Sequence, residues 1–333
     1  MVRLLPQRFP HRMAALKPLL WAGALLLARG GGAAEVAFVT TQSDDSVSVV
    51  ALGEDKVAAT LEVGGKPAGV AASPDGRHVY ITSPEGSYVS VLGTRPPALL
   101  RRIALQGGPL GIAVHPDGAR LFVADWYGNR VFVVDVASGD ILDELPTGLS
   151  PSGVAVSPDG SLLATADRDS DQVSLFSTAD HRLIGTVGTG KRPFGLGFTP
   201  DGRRLMSADV GSNTVTVIDV DSRGVLASVP VGDRPYALAV AGGRAFVTNQ
   251  YAGTVSVFDL QSLKVVATIE TGEYPEGIAA SADGRFVYVA NWFDNTLSRI
   301  DTVRLRVTGS VRTGNGPRAF GAFVADVPDA AVR

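Results

Sequence analysis

SPDG stands at Ser73–Gly76, and the chain returns to it as HPDG at His115–Gly118, SPDG at Ser157–Gly160 and TPDG at Thr199–Gly202. The marker then loosens to VAGG at Val240–Gly243 and SADG at Ser281–Gly284, with the closing glycines always 41 or 42 residues apart. Each residue has a turn role. Proline presets the first angle, aspartate bonds its own backbone and glycine takes the left-handed position. These sites are punctuation, and punctuation at a fixed period means that one structural unit is repeated.

Working outward from the marker, the unit fills in. A small-residue run opening on proline precedes it: PAGVAA, PLGIAV, PSGVAV, PFGLGF, PYALAV and PEGIAA. An alternating run follows, as in RLFVAD, RLMSAD, RAFVTN and RFVYVAN. A second run (NRVFVVDV, NTVTVIDV, GTVSVFDL) and a third (VLASVPVG, VVATIETG) complete the unit. Four period-two segments in about 40 residues predict a four-stranded antiparallel meander, the size of one propeller blade. We label these strands A to D. Strand A is rich in Gly and Ala, at Gly111, Ala113, Gly153, Ala155, Gly195 and Gly197. Inner strands converging on an axis must be narrow, and the composition fits that taper.

The ends of the repeat set the blade count. EVAFVTT, DSVSVVAL and VAATLEVG, beginning at Glu35, match strands B, C and D, while their strand A is found only at Pro317–Val324, PRAFGAFV. Six complete repeats and this composite predict an all-β, seven-bladed β-propeller of four-stranded antiparallel blades. Its last blade joins N-terminal strands B, C and D to a C-terminal strand A, which leaves no open sheet edge. The expected organisation is a secretory segment at 1–34, the propeller at 35–326 and a short tail at 327–333.

Strand B reads FVAD at Phe122–Asp125, FVTN at Phe246–Asn249 and YVAN at Tyr288–Asn291. With these motifs the chain resembles the YVTN family of β-propeller repeats and, more distantly, the NHL and lactonase-type propellers, over Glu35–Asp326. The resemblance implies the fold. It implies no single activity, because its shared motifs are structural. Propeller lyases and haem-binding propellers, as families, place histidine at the channel. Here His78 begins a strand B, His115 lies in an A–B turn and His181 in a C–D turn, all at the lower end of the blades away from the aromatic residues, and they read as solvated turn residues, so no catalytic or haem-ligating role carries over.

Composition narrows the function classes. Of 333 residues, 39 are Gly, 20 Pro and none Cys, which excludes disulfides, thiolate metal sites and cysteine nucleophiles. The first 34 residues carry Arg3, Arg8, Arg12, Lys17 and Arg29, no acid, and the apolar run Leu19–Ala28, followed by RGGGAA. That is the layout of a secretory signal, too short to span a bilayer, with cleavage expected after Ala34 and Met13 an alternative start. Removing it takes five of 30 basic residues and none of 33 acids, leaving a charge of −8. Such a chain is a poor candidate for nucleic acid or anionic lipid, and no membrane span remains after signal removal. The expected location is periplasmic or secreted.

Candidate site residues gather on one face. If strand A runs downward, B–C and D–A loops form the upper face. The B–C loops hold Trp126, Tyr127, Arg168, Tyr251, Trp292 and Phe293, and the D–A loops hold Lys191, Arg192, Arg234, Glu273 and Tyr274. The residue after each strand-A proline differs in every blade: Ala68, Leu110, Ser152, Phe194, Tyr236, Glu276 and Arg318. Seven equivalent seats with seven different occupants point to a binding mouth; alternatively, the aromatics cap the blades and Glu276 pairs with Arg318. The predicted partner-binding set is Trp126, Tyr127, Lys191, Arg192, Phe194, Arg234, Tyr236, Tyr251, Tyr274, Glu276, Trp292, Phe293 and Arg318. Asp167, Asp169 and Asp171 share a loop but lack the ordered spacing of a calcium motif and read as an acidic turn. The Asp or Asn ending strand B is expected to cap the B–C turn.

No catalytic triad order, phosphate loop or zinc signature is present, and no cofactor is expected. The leading reading is a non-catalytic binding or scaffold protein with a protein or small-molecule partner. The alternatives are a lactonase-like hydrolase or lyase using Glu276, Arg318 and Tyr236, and an accessory that docks with a periplasmic redox enzyme. The last rests on analogy alone.

Overall fold

The computed structural model describes residues 34–328. The expected secretory segment up to residue 33 and the tail from residue 329 lie outside the described residues. Seven sheets radiate from one axis. Blades 1 to 6 begin with strands A at Gly69–Ala72, Pro109–Val114, Pro151–Val156, Pro193–Phe198, Pro235–Ala241 and Pro275–Ala280. Blade 5 shows the pattern, with B, C and D at Arg244–Asn249, Thr254–Asp259 and Val265–Glu270, each antiparallel to the one before.

Burial follows position in the blade. Strands B and C are covered on both faces by neighbouring blades, so RAFVTN is buried from its second residue onward. Strand D lies at the rim and is mostly exposed. The core between blades is aromatic and β-branched, with Phe38, Phe122, Phe132, Phe176, Phe246, Phe258 and Phe323 among its fully buried side chains. At the axis the narrow strand A is obligatory. A Cβ on Gly111 would overlap the Ser152 carbonyl oxygen, and one on Gly153 the Phe194 oxygen.

Polar side chains stitch blades together. The Asp or Asn ending strand B is buried and reaches the D–A loop and strand C rather than only its own turn. Asn249 accepts from the Gly232 N–H (3.1 Å) and donates to Thr254 (3.0 Å) and Ser256 (2.9 Å). Asp167 accepts from the Gly148 N–H at 3.0 Å and from the Ser174 hydroxyl at 2.6 Å. Its loop companions are also spent: Asp169 pairs with Arg168 at 2.7 Å and Asp171 accepts from the Arg192 N–H at 2.7 Å. On the lower face the marker aspartates cap as expected, Asp75 accepting from Ser73 (2.5 Å) and from the Arg77 N–H (3.0 Å). His115 departs from the solvated-turn reading. It is 9% exposed, and its Nε2 meets the Gly160 oxygen of the next blade at 2.9 Å. The marker turn of blade 3 closes over the ring, a neighbour 45 residues away that no local pattern reveals.

Closure is by the termini, with one correction to its register. Strand B of blade 7, Ala34–Thr41, pairs with Val324–Val327, a strand that starts where the expected Pro317–Val324 ends and runs three residues beyond it. Pro317 still bridges Thr41. Between these anchors Phe320–Ala322 leaves the blade and pairs in parallel with Gly69–Ala72 of blade 1, along the edge that faces the axis. Gly321, at φ +116°, makes that excursion possible.

Candidate functional site

The residues after the strand-A prolines do come together, as a lid across the upper end of the channel. Phe194 and Tyr236 stack at 4.2 Å between ring centroids, and Phe320 closes on them at 5.0 and 6.0 Å. Trp126 leans on Phe194 at 6.2 Å. Five of the seven seats, Ala68, Ser152, Phe194, Tyr236 and Glu276, are buried and Leu110 and Arg318 are half-buried, so the seats plug the mouth more than they line an open one. The reason is apolar area: the excursion of Phe320 brings a third ring to the axis, and three aromatics exclude water together. Below them lies a cavity of about 420 Å³, walled by Ala113, Ala155 and Leu238 and by the lower-face prolines Pro74, Pro116 and Pro158.

Beside the plug runs a polar chain from surface to interior. Arg234 covers the exposed Tyr251 ring at 4.6 Å and donates to its hydroxyl at 3.1 Å. Its Nε donates to Gln250 at 2.6 Å, and Gln250 donates to Glu276 Oε1 at 2.7 Å. Glu276 Oε2 lies 3.0 Å from Arg318 Nε, yet the N–H points elsewhere and neither atom is in a hydrogen bond. Arg318 Nη2 donates to the Tyr236 hydroxyl at 2.5 Å, and the guanidinium lies between the Trp292 and Tyr236 rings. Burial raises the Glu276 pKa, with Arg318 and Gln250 pulling the other way. Burial likewise raises that of Tyr236. Sequence reading missed Gln250 and Phe320. Gln250 holds the first B–C position, which reads Gln42, Pro84, Trp126, Arg168, Val210, Gln250 and Trp292 around the ring. The same variability that marked the proline seats was available there.

The remaining candidates divide. Tyr251, Tyr274 and Phe293 form an outer cluster, with Tyr274 at 5.7 Å from Tyr251 and 4.9 Å from Phe293. Tyr251 is 58% exposed and Phe293 62%. Tyr127, Lys191 and Arg192 are exposed as well, without a ring contact to that cluster. Trp292 belongs to the interior network, packed on Gly316 and Arg318. Among the described residues no group of His, Asp and Glu is placed to hold a metal, and no helix is long and apolar enough to cross a membrane.

The profile of the family described as "Lactonase, 7-bladed beta-propeller" matches residues 141–231 and 189–323, together more than half of the chain. The chain belongs to this lactonase family. No curated protein matches it by sequence. Among solved structures, this lactonase-family propeller is similar to hydrazine synthase of Kuenenia stuttgartiensis, at 22% identity and TM-score 0.70 over 77% of this chain and 89% of that one. It is also similar to a functionally unknown protein of Desulfotomaculum acetoxidans DSM 771, at 18% identity and TM-score 0.76 over 88% and 99%. A third likeness is to the dihydro-heme d1 dehydrogenase NirN in complex with DHE, at 19% identity and TM-score 0.65. There 86% of this chain covers 65% of NirN. At these identities the likeness is one of fold.

Proposed function

We propose that this lactonase-family chain is an exported, non-catalytic binding protein that engages its partner on the upper face, at Tyr251, Tyr274 and Phe293. The observation that supports it is an exposed aromatic cluster held rigid from below. Tyr274 is fixed in the left-handed region at φ +59°, ahead of Pro275, and its ring props the two exposed ones. Aromatic side chains displayed with few free torsions bind at low entropic cost, and Arg234 adds a cation at the edge. Neither Tyr251 nor Phe293 has a core role, so replacing both isolates the surface. Affinity capture from periplasmic extract should retain a partner on the wild type and lose it on Tyr251→Ala/Phe293→Ala, with the melting temperature unchanged. Equal retention by both would refute the reading.

A second reading, a lactonase-like hydrolase, is favoured by the family membership and by the buried Glu276–Arg318 pair. A carboxylate and a guanidinium can act as base and oxyanion partner without histidine. Turnover of a lactone panel that is abolished in Glu276→Gln would establish it, and an inactive wild type would remove it.

A further inference from the structure

Strand A is the last strand of its sheet in blades 2 to 6, so one edge of each faces the axis without a partner strand. In blade 1 that edge is taken by Phe320–Ala322. The bonds at the marker turns fix which backbone groups lie along the other edges. The Ser157 N–H donates to the Leu162 carbonyl at 2.9 Å, and Ala155 stands opposite Ala164 further up the same ladder. Bonded and non-bonded pairs alternate in an antiparallel ladder. Ala155 therefore exchanges its hydrogen bonds with Ala164, and the N–H and C=O of Val154 and Val156 turn to the axis. His115 holds the same relation to Arg120, and Thr199 to Arg204, which turns the backbone of Ile112, Val114, Leu196 and Phe198 inward. Val154–Val156 and Leu196–Phe198 are half-buried at three successive positions, as a strand is when its edge, and not one of its faces, meets open space.

These polar rails run down the walls of the cavity of about 420 Å³ beneath the aromatic plug. Phe320 is its ceiling, and Pro74, Pro116 and Pro158 of the marker turns stand at its lower end, so it is reached from the lower face. No residue that walls it carries a charge. Its one side-chain hydroxyl, on Ser157, is already bonded to Asp159 at 2.5 Å. A charged ligand would shed its hydration here and meet no counter-charge. A neutral one gains from contact with Ile112, Leu196, Leu238 and Ile278 and finds donors and acceptors on the rails. Size narrows the class further. An apolar cavity of about 150 Å³ holds a single benzene, so this one admits about two fused rings with room for a substituent.

We propose that the lower channel binds a neutral, mostly apolar molecule of about two fused rings that carries a hydroxyl or carbonyl group. The rings occupy the space between the inner strands, and the polar group bonds the backbone rails. The site opens on the face opposite the exposed aromatic cluster and does not depend on it.

Titration of the intact protein with 2-naphthol, followed by methyl NMR, tests it. Saturable ring-current shifts should appear at Ile112, Leu196, Leu238 and Ile278, and none at Leu226 or Val266 of the outer rim. Naphthalene-2-sulfonate, the same rings with a fixed anion, should bind at least about tenfold more weakly. Ala155→Trp, which sets a bulky ring across the cavity, should abolish binding. If Ala155→Trp does not fold, the sulfonate comparison and the pattern of shifted methyls decide the question. Absent or non-saturating shifts, shifts centred outside the channel, equal affinity for the sulfonate, or undiminished binding in folded Ala155→Trp would overturn the proposal.

Discussion

Asp209 carries a cost that its neighbours avoid. It ends strand B of blade 4 with its carboxylate buried among the hydroxyls of Ser207, Thr214 and Thr216. Burial, opposed by those hydrogen bonds, pushes its pKa up to about 6. Between the unfolded value near 3.8 and 6 the native state holds a proton that the unfolded chain has released. Stability therefore falls as pH rises through that window, by about 2 to 3 kcal/mol, and stays lower at neutral pH. Asn249 and Asn291 occupy the same seat in blades 5 and 6 with an amide that donates to the paired hydroxyls. Urea unfolding between pH 4 and 8 should accordingly show Asp209→Asn stabilised above pH 6, near wild type at pH 4, with the descent between them gone. The recurrence of Asp or Asn at this position was legible in the sequence. Its partners were not, since the D–A glycine it holds precedes it by 17 to 19 residues and arrives through folding.

Among elements, strand A is the one whose composition most directly states its place. Gly153 carries no side chain because the Phe194 carbonyl of the next blade occupies the space a Cβ would need. Gly153→Val should destabilise the propeller by about 3 kcal/mol, read from the shift in denaturant midpoint, since overpacking here displaces backbone rather than a side chain. Strand D shows a feature that pattern reading passes over. A register shift sets Leu142, Ile184, Leu226 and Val266 out of the C–D ladder in successive blades, and all four are exposed. Such bulges blunt an outer edge that would otherwise invite another strand. The closing strand explains the single error in topology. From Pro317 to Val324 it spends seven residues where strand B spends four, from Thr41 to Ala37. A regular blade spends five against four, as from Pro193 to Phe198. Two extra residues preserve the alternation of a strand, so the period-two signal is blind to them.

For the whole molecule, seven blades and their closure were legible because each repeat announces itself with a proline run and a marker turn. The upper face was legible as a place and less so as an arrangement. Variability around the ring located Phe194, Tyr236, Glu276 and Arg318, but nothing local distinguishes a side chain that opens a mouth from one that seals it. That distinction was made by Phe320, which reaches the axis only through the excursion of the last strand. A chain ending before Pro317 should consequently lose more than one strand. It would expose the edge of Ala34–Thr41, unpair the inner edge of blade 1 and remove the third ring of the plug. Circular dichroism melting and size-exclusion chromatography should find no cooperative transition and self-associated material.

The excursion of Phe320–Ala322 also bears on timing. One short segment, made after nearly all the rest, is hydrogen-bonded both to the first strand of the propeller and to the inner strand of blade 1. While the chain is being synthesised, the ring must wait open, with its earliest strand unclaimed. No truncated product can satisfy both attachments, so the final clasp acts as a test of completeness: only a polypeptide translated through Val327 can pass from an open arc to a closed ring.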